Sequence, residues 1–149
     1  MPNLSRIAEN GQSFTNINEL NITNYTTSGI YALLCGNFLP IYNISKEQKC
    51  LTHILYNNDY DVGLIRGDSN SILDDQNDGR IDYGKDKINI CDQDCLLKKY
   101  DLNNFHVWGA HDNILFNEAI KVIEKKNKEK NNYAIFLKTI DSHVEGYLS

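Results

Sequence analysis

The chain has 149 residues, a length that suits one folded domain with a single hydrophobic core. Its 15 lysines and arginines are outnumbered by 20 aspartates and glutamates, and the net charge of −5 argues against nucleic acid or an anionic membrane surface as the main partner. The sequence has no apolar run of about 18 residues and its N-terminus lacks the pattern of a signal peptide, so neither a membrane anchor nor a leader is predicted within it.

The first half of the chain predicts two helices around a short strand. Pro2 at a helix start and Gly11 just past its end indicate a first helix between them. The segment "SFTNINEL" (residues 13–20) is typical of a short strand. A second helix is predicted from about Thr27 to Leu34, after a segment rich in threonine.

The rest of the sequence predicts a third helix, two strands and a long helix between them. The capping-box pattern of Ser45 and Gln48 predicts a helix near residues 46–57. Strands are predicted at Tyr60–Gly67 and at Tyr133–Ile140, and residues 67–95 between them are interpreted as loop because they have no sustained period. A long helix is predicted before the last strand, and it starts with Asp112 as its N-terminal cap.

Strands that alternate with helices imply an α/β domain with a largely parallel sheet and helices on both faces. In such domains ligands bind beyond the carboxyl ends of the strands. Asp141, Ser142 and His143 follow the last predicted strand, and the threonines before the second helix also fall at this edge. These two segments are therefore the candidate functional positions.

Each candidate has a structural alternative. Unpaired N–H groups at a helix start attract anions, and a hydroxyl placed there can act as a nucleophile when a base or a cation activates it. Threonine at a helix start is also an ordinary N-terminal cap, which local sequence alone favours. A histidine after a strand, such as His143, can equally serve only to hydrogen-bond a loop.

The four cysteines form two local pairs, Cys35 with Cys50 and Cys91 with Cys95. An even number in separated pairs is compatible with disulfides in an oxidising compartment. Two alternatives stay open at this point, namely a metal site at "CDQDC" and buried free thiols.

Five segments in their order along the chain resemble the membrane-anchored phosphoglycerol transferases, which belong with the lipoteichoic acid synthases and sulfatases in the alkaline phosphatase superfamily. They are "PNLSRIAENGQSFTNI", "TTSGIYALLCGNFLP", "CLTHIL", "WGAHDNILFNEA" and "FLKTIDSHVEGYLS". The resemblance implies a three-layer α/β/α sandwich with a largely parallel sheet. It also implies that residues 1–149 form a single partial domain, incomplete at both ends, which lacks the first core strand and the C-terminal metal-ligand half.

The resemblance also assigns site residues. The family pattern T-x-x-G-x-x-A-x-x-C-G is present here as Thr26, Gly29, Ala32, Cys35 and Gly36. It implies that Thr26 is the metal-bound catalytic nucleophile, with Thr27 as the alternative if the register differs by one. The block "TIDSHVEGYLS" implies that His143 contacts the anionic head group of the substrate or helps proton transfer at the leaving group.

The resemblance also has implications for the metal cofactor, a disulfide and a substrate-binding arginine. The intact enzyme would use a divalent metal, manganese, magnesium or zinc, but of the expected ligands only Thr26 is present, so this chain alone is expected neither to retain the metal nor to be active. A disulfide between Cys35 and Cys50 is implied. Arg66 and Arg80 are the candidate counterparts of the family's substrate-binding arginine.

The implied function is transfer of phosphoglycerol from a phospholipid donor to a cell-envelope glycan acceptor, on the periplasmic or extracytoplasmic face of the membrane, through a covalent threonine intermediate. One alternative is a sulfatase-type hydrolase, although no C/S-x-P-x-R pattern occurs in the sequence. The other is a non-catalytic binding module. The missing first strand is also expected to leave an open sheet edge through which the chain could self-associate.

Overall fold

A computed structural model describes residues 2–13, 16, 26–37, 49–68, 87–101, 103, 105–106 and 108–141. The helices are α1 (Pro2–Asn10), α2 (Thr26–Cys35), α3 (Leu51–Tyr56), α4 (Gln93–Leu97) and α5 (Asp112–Glu129). The strands are β1 (Asp61–Arg66), β2 (Asn89–Cys91), β3 (Phe105–His106), β4 (Gly109–Ala110) and β5 (Tyr133–Lys138).

A parallel sheet forms the centre of the described structure. Its strand order is β2-β1-β5, and both neighbours of β1 run parallel to it. In the pairing of β1 with β5, Asp61 lies opposite Tyr133 and Arg66 lies opposite Lys138, so the two strands end at the same level. β3 and β4 form a separate antiparallel pair. The predicted α/β class with a parallel sheet is confirmed.

Helices cover both faces of this sheet, as the packing of β5 shows. Successive side chains of a strand point to opposite faces, so neighbouring residues of β5 contact different helices. Phe136 of β5 packs with buried residues of α2 and with Cys50, which precedes α3. Its neighbours Ile135 and Leu137 pack on the other side, against a cluster that includes Leu96 of α4 and several residues of α5. The remaining members of that second cluster are Ile65, Ala110, Ile114, Leu115 and Ala119.

Most elements match the sequence-based predictions. The first two helices, the strand at residues 61–66, the long helix from Asp112 and the last strand are confirmed within a few residues. The described part of the third helix begins at Leu51, and the capping box at Ser45 and Gln48 lies outside the described residues. Most of the predicted strand at residues 13–20 lies outside them as well.

The prediction of continuous loop over residues 67–95 is wrong at its C-terminal end. β2 forms there because its backbone pairs with β1, a distant partner that local sequence does not reveal. α4 follows at once, and its start is capped by Asp92, whose side chain accepts a hydrogen bond from the backbone N–H of Cys95 at 3.1 Å.

Gly67 and Gly109 allow the backbone at β4 to approach the backbone at the end of β1 closely. Gly109 has φ +140°, and a Cβ atom there would lie 2.1 Å from the carbonyl oxygen of Gly67. The N–H of Ala110 donates to that same oxygen at 3.0 Å. The close approach fixes β4 against the carboxyl end of β1, the edge at which the site residues are found.

We therefore expect Gly109→Ala to lower the free energy of unfolding by about 3 kcal/mol or more, because the new methyl group would overlap backbone atoms in a conformation that L-residues rarely adopt. Urea denaturation followed by circular dichroism measures this. Gly63→Ala is the matched control, since its Cβ would meet its nearest neighbours at 3.9 Å, an ordinary contact distance. Equal effects of the two substitutions would contradict the assigned role of Gly109.

Candidate functional site

Thr26, the predicted nucleophile, is the first residue of α2. The first N–H groups of a helix have no partner within it, so the backbone around Thr26 offers donors to an anion. The helix ends at Cys35, and Gly36 after it adopts φ 63° and donates from its N–H to the carbonyl of Ala32 at 3.0 Å. The side chains of Thr26 and Thr27 lie outside the described structure, so their chemical roles stay predictions.

His143, the second predicted site residue, also lies outside the described residues, as does Arg80. The structure describes the chain as far as Asp141, two residues before His143. β5 ends at Lys138, so the described residues that follow it, as far as Asp141, lie beyond the carboxyl end of that strand. The proposed contact of His143 with a substrate head group stays a prediction.

A buried group of charges lies at the carboxyl ends of β1 and β5. Arg66 donates to Asp68 through Nε, at 2.9 Å, and through one terminal nitrogen, at 2.6 Å. Lys138 Nζ donates to the same carboxylate at 2.5 Å. Arg66 and Asp68 are 0% and 1% exposed and Lys138 is 18% exposed, so this group, which we call the Asp68 cluster, is largely shielded from solvent.

The electrostatics of the Asp68 cluster favour the ionised carboxylate. Burial by itself would raise the pKa of Asp68, but the hydrogen bonds and charges of Arg66 and Lys138 outweigh it, and the pKa of Asp68 is lowered. One carboxylate thus serves two cations, and the three side chains together carry a net positive charge. Arg66, a candidate for substrate binding by sequence, is bound to an internal carboxylate.

Asp141 and Asp112 join the end of β5 to the start of α5. Asp112 Oδ1 accepts the N–H of Ile140 at 2.7 Å and that of Asp141 at 3.2 Å. In return, Asp141 Oδ2 accepts the N–H of Asp112 at 3.0 Å, and Asp141 Oδ1 lies 3.2 Å from Nδ1 of His111. The prediction that Asp112 caps its own helix is therefore wrong. His111 occupies the cap position, and Asp141 satisfies the first N–H of α5.

The cysteines form two disulfides, Cys35–Cys50 and Cys91–Cys95. The first joins the end of α2 to the start of α3, and the second joins β2 to the first turn of α4. Of the alternatives left open for "CDQDC", the structure therefore shows the disulfide. Neither pair is available as thiolate ligands in this state.

Within the described residues, no group of three or more His, Cys, Asp or Glu side chains is arranged to hold a metal ion. The described carboxylates of the edge are instead engaged with cations or backbone N–H groups, as Asp68, Asp112 and Asp141 show. The residues that the structure describes therefore do not provide a complete site for the metal that the family resemblance implies. Among these residues there is also no helix long and apolar enough to cross a membrane.

The charged contact of Lys138 with Asp68 and the contact of Asp112 with the end of β5 were not predicted from the sequence. Lys138 could have been noticed, because it is a cation next to the apolar run "YAIFL" of a strand predicted to be covered on both faces. Asp68 has no such signal, since it follows the strand in a polar segment. Its partner Lys138 is 70 residues away in sequence.

The chain is similar to known proteins in sequence. The sulfatase family model matches residues 1–148, and the chain belongs to this family. It is 24% identical over 177 aligned positions to phosphoglycerol transferase I of Escherichia coli O127:H6, and 21% identical to that of Salmonella choleraesuis. Each alignment includes 99% of this chain and 21% of the relative, so the chain spans about a fifth of these proteins.

Two solved structures share the fold. A protein in the alkaline phosphatase superfamily from Vibrio parahaemolyticus superimposes with a TM-score of 0.61, and the lipoteichoic acid synthase LtaP from Listeria monocytogenes with 0.62. They match 81% and 82% of this chain, in each case 30% of the solved chain, with 16% identity. The comparison confirms the predicted fold, of which this chain covers a part.

We expect Asp68→Asn to lower the free energy of unfolding by about 3 to 5 kcal/mol at pH 7, because it leaves the buried Arg66 and the largely buried Lys138 without their carboxylate. A carboxyl whose native pKa is lowered contributes its full stability above its ordinary pKa of about 4, and loses it as the pH falls through the lower native value. Urea denaturation of the wild type between pH 7 and pH 2 should show this loss.

The asparagine variant should lack that part of the acid-dependent loss, since it has no carboxyl to protonate at this position. A variant with the same pH dependence as the wild type would contradict the assignment of the stabilising charge to Asp68.

Asp112→Ala should lower the free energy of unfolding by about 2 kcal/mol, because the N–H groups of Ile140 and Asp141 lose their acceptor. Asn113→Ala, at the exposed neighbouring position of α5, is the control and should change it by less than about 0.5 kcal/mol. Chemical denaturation of both variants provides the comparison. Similar stability of the two would show that Asp112 does not anchor the end of β5.

Proposed function

We propose that this chain is part of a metal-dependent transferase that moves a phosphoglycerol group from a phospholipid donor to a cell-envelope glycan acceptor. The main support is the alignment with phosphoglycerol transferase I over 99% of the chain. The membership in the sulfatase family and the superfamily fold are consistent with this chemistry. We place the reaction on the extracytoplasmic side of the membrane, where a lipid head group and a glycan of the envelope are both accessible.

Thr26 is the proposed nucleophile. Its hydroxyl oxygen would bond to the phosphorus of the donor as the bond from phosphorus to the lipid alcohol breaks, and the alcohol would leave with a proton. An acceptor hydroxyl would then attack the phosphorus and release Thr26. The position of Thr26 supports this role, because the N–H groups in the first turn of α2 can donate to the phosphate oxygens at each step.

The divalent metal belongs to the proposed enzyme, but the described residues do not assemble a site that fits it. We therefore assign no step to the metal here. What this chain contributes is the hydroxyl at the start of α2, the positive Asp68 cluster at the carboxyl edge and the anchored end of β5 that leads to His143. His143 is proposed to contact the anionic head group.

Thr26→Ala should abolish phosphoglycerol transfer, whereas Thr27→Ala should retain it within about tenfold, since the neighbouring hydroxyl is not the one that reacts. The assay uses phosphatidylglycerol labelled in its head group and a glycan acceptor. It is run with the chain extended at both ends by the regions that its relatives have there, and with the unextended chain, which is expected to be inactive.

Retained transfer in Thr26→Ala would remove this residue from the nucleophile role, and loss only in Thr27→Ala would move the role by one position. Release of free glycerol phosphate regardless of acceptor would identify a hydrolase of the sulfatase type. Binding of the donor without any turnover in the extended protein would favour a non-catalytic module.

A further inference from the structure

The two disulfides of the chain differ in how much solvent reaches them. Cys35 and Cys50 are 9% and 2% exposed and pack in the apolar cluster beneath α2. Cys91 and Cys95, in contrast, are only half-buried. Thiol–disulfide exchange requires that a thiolate reach one sulfur of the bond. An external thiol can therefore approach the disulfide between Cys91 and Cys95 much more readily than the other one.

The exposed disulfide also closes the shorter loop. Cys91 and Cys95 are 4 positions apart in sequence, whereas Cys35 and Cys50 are 15 positions apart. The constraint that a disulfide places on the unfolded chain grows with the length of the closed loop, so the disulfide between Cys91 and Cys95 contributes less to the stability of the domain. Stability alone is therefore a weak explanation for this pair.

Contacts other than the disulfide hold the backbone around this pair. Cys91 lies opposite Ile65 of β1 in the parallel sheet. The side chain of Asp92 accepts the N–H of Cys95 at 3.1 Å, and its carbonyl accepts the N–H of Leu96 at 2.9 Å. Leu96 is 0% exposed and anchors α4 in the core. The two thiols produced by reduction would therefore stay next to each other, which allows the disulfide to form again.

An ammonium group lies beside one of the two sulfurs. Lys99 Nζ is 3.9 Å from Cys91 Sγ. It also donates to Glu118, but an ammonium has three N–H donors, so one contact does not prevent the other. A lysine next to a cysteine stabilises the thiolate, and a more stable thiolate is a better leaving group. Cys91 is therefore the sulfur that departs when the disulfide is attacked at Cys95.

We propose that the disulfide between Cys91 and Cys95 is a site of reversible exchange with an external dithiol. A thiolate of the dithiol bonds to Sγ of Cys95, the bond between the cysteine sulfurs breaks, and Cys91 leaves as a thiolate beside Lys99. The second thiolate of the dithiol then bonds to the first sulfur of the dithiol, and Cys95 leaves. In total, two electrons and two protons pass from the dithiol to the cysteines, and the dithiol becomes a disulfide.

The test is stepwise reduction of the folded chain with dithiothreitol, followed by alkylation of the released thiols and peptide mass spectrometry. We expect alkylation of Cys91 and Cys95 at a dithiothreitol concentration at least about tenfold lower than Cys35 and Cys50 require. At this stage circular dichroism should still report the folded chain, and oxidised glutathione should restore the disulfide. Simultaneous reduction of both disulfides, or unfolding when only Cys91 and Cys95 are reduced, would overturn the proposal.

Lys99→Met should slow the reduction of this disulfide by about threefold to tenfold, because the departing thiolate of Cys91 loses its cation. Lys98→Met is the matched control. Lys98 is the neighbouring lysine and is also exposed, and its substitution should leave the rate unchanged. An unchanged rate in Lys99→Met, or equal slowing in both variants, would contradict the assigned role of Lys99.

Glu118→Gln separates the contact with sulfur from the ion pair. Lys99→Met leaves Glu118, which is 5% exposed, without its cation, and a loosened fold would change the rate for a different reason. Glu118→Gln breaks the same ion pair but keeps the ammonium beside Cys91, so the rate of reduction should not fall. A decrease as large as in Lys99→Met would assign the effect to the ion pair and overturn the role of Lys99 at the sulfur.

The position of attack can be read directly with glutathione, a monothiol. After a short reaction, an acid quench and alkylation, peptide mass spectrometry should find glutathione mainly on Cys95 and the alkyl group on Cys91. Glutathione mainly on Cys91 would overturn the proposed direction of exchange. Since these readouts report the chemical state of the cysteines, their failure leaves the role of Thr26 untouched, and a failure of the transfer assay leaves this proposal untouched.

Discussion

The parallel pairing of β1 with β5 is the constraint on which the described site depends. It sets Arg66 opposite Lys138 at the carboxyl edge, and both cations become tolerable in the interior only because Asp68 accepts hydrogen bonds from each. A shift of this pairing by one residue would place Lys138 on the opposite face of the sheet, away from Asp68. Strand register and charge compensation therefore support each other in this fold.

Charged side chains and helix termini position the segments that follow the central strands. Arg66 and Lys138 of the Asp68 cluster lie at the ends of β1 and β5, and Asp112 with Asp141 fixes the chain after β5. Thr26, the proposed nucleophile, is the first residue of α2. Buried ion pairs often contribute less stability than apolar residues of similar volume. The Asp68 cluster is nevertheless expected to be costly to break, because removal of the shared carboxylate would leave two cations without compensation.

Sequence reasoning could predict what short-range patterns determine. Pro2 and Gly11 bounded the first helix, and the apolar runs located β1 and β5 and hence the carboxyl edge. It missed β2 and misassigned Asp112, because both depend on partners far along the chain, β1 in one case and the end of β5 in the other. The Asp68 cluster was missed for the same reason. The role of Thr26 stays a prediction that rests on the family pattern, since local sequence alone favoured an ordinary helix cap.

The most direct test of the central claim is to find where the transferred group becomes attached. Protein extended by the regions present in its relatives would be incubated with phosphatidylglycerol without an acceptor, quenched in acid, digested and analysed by peptide mass spectrometry. The account predicts a phosphoglycerol group on the peptide that begins α2, with fragment ions that place it on Thr26. Turnover with the group attached to a different residue, or with no attached group at any residue, would contradict it.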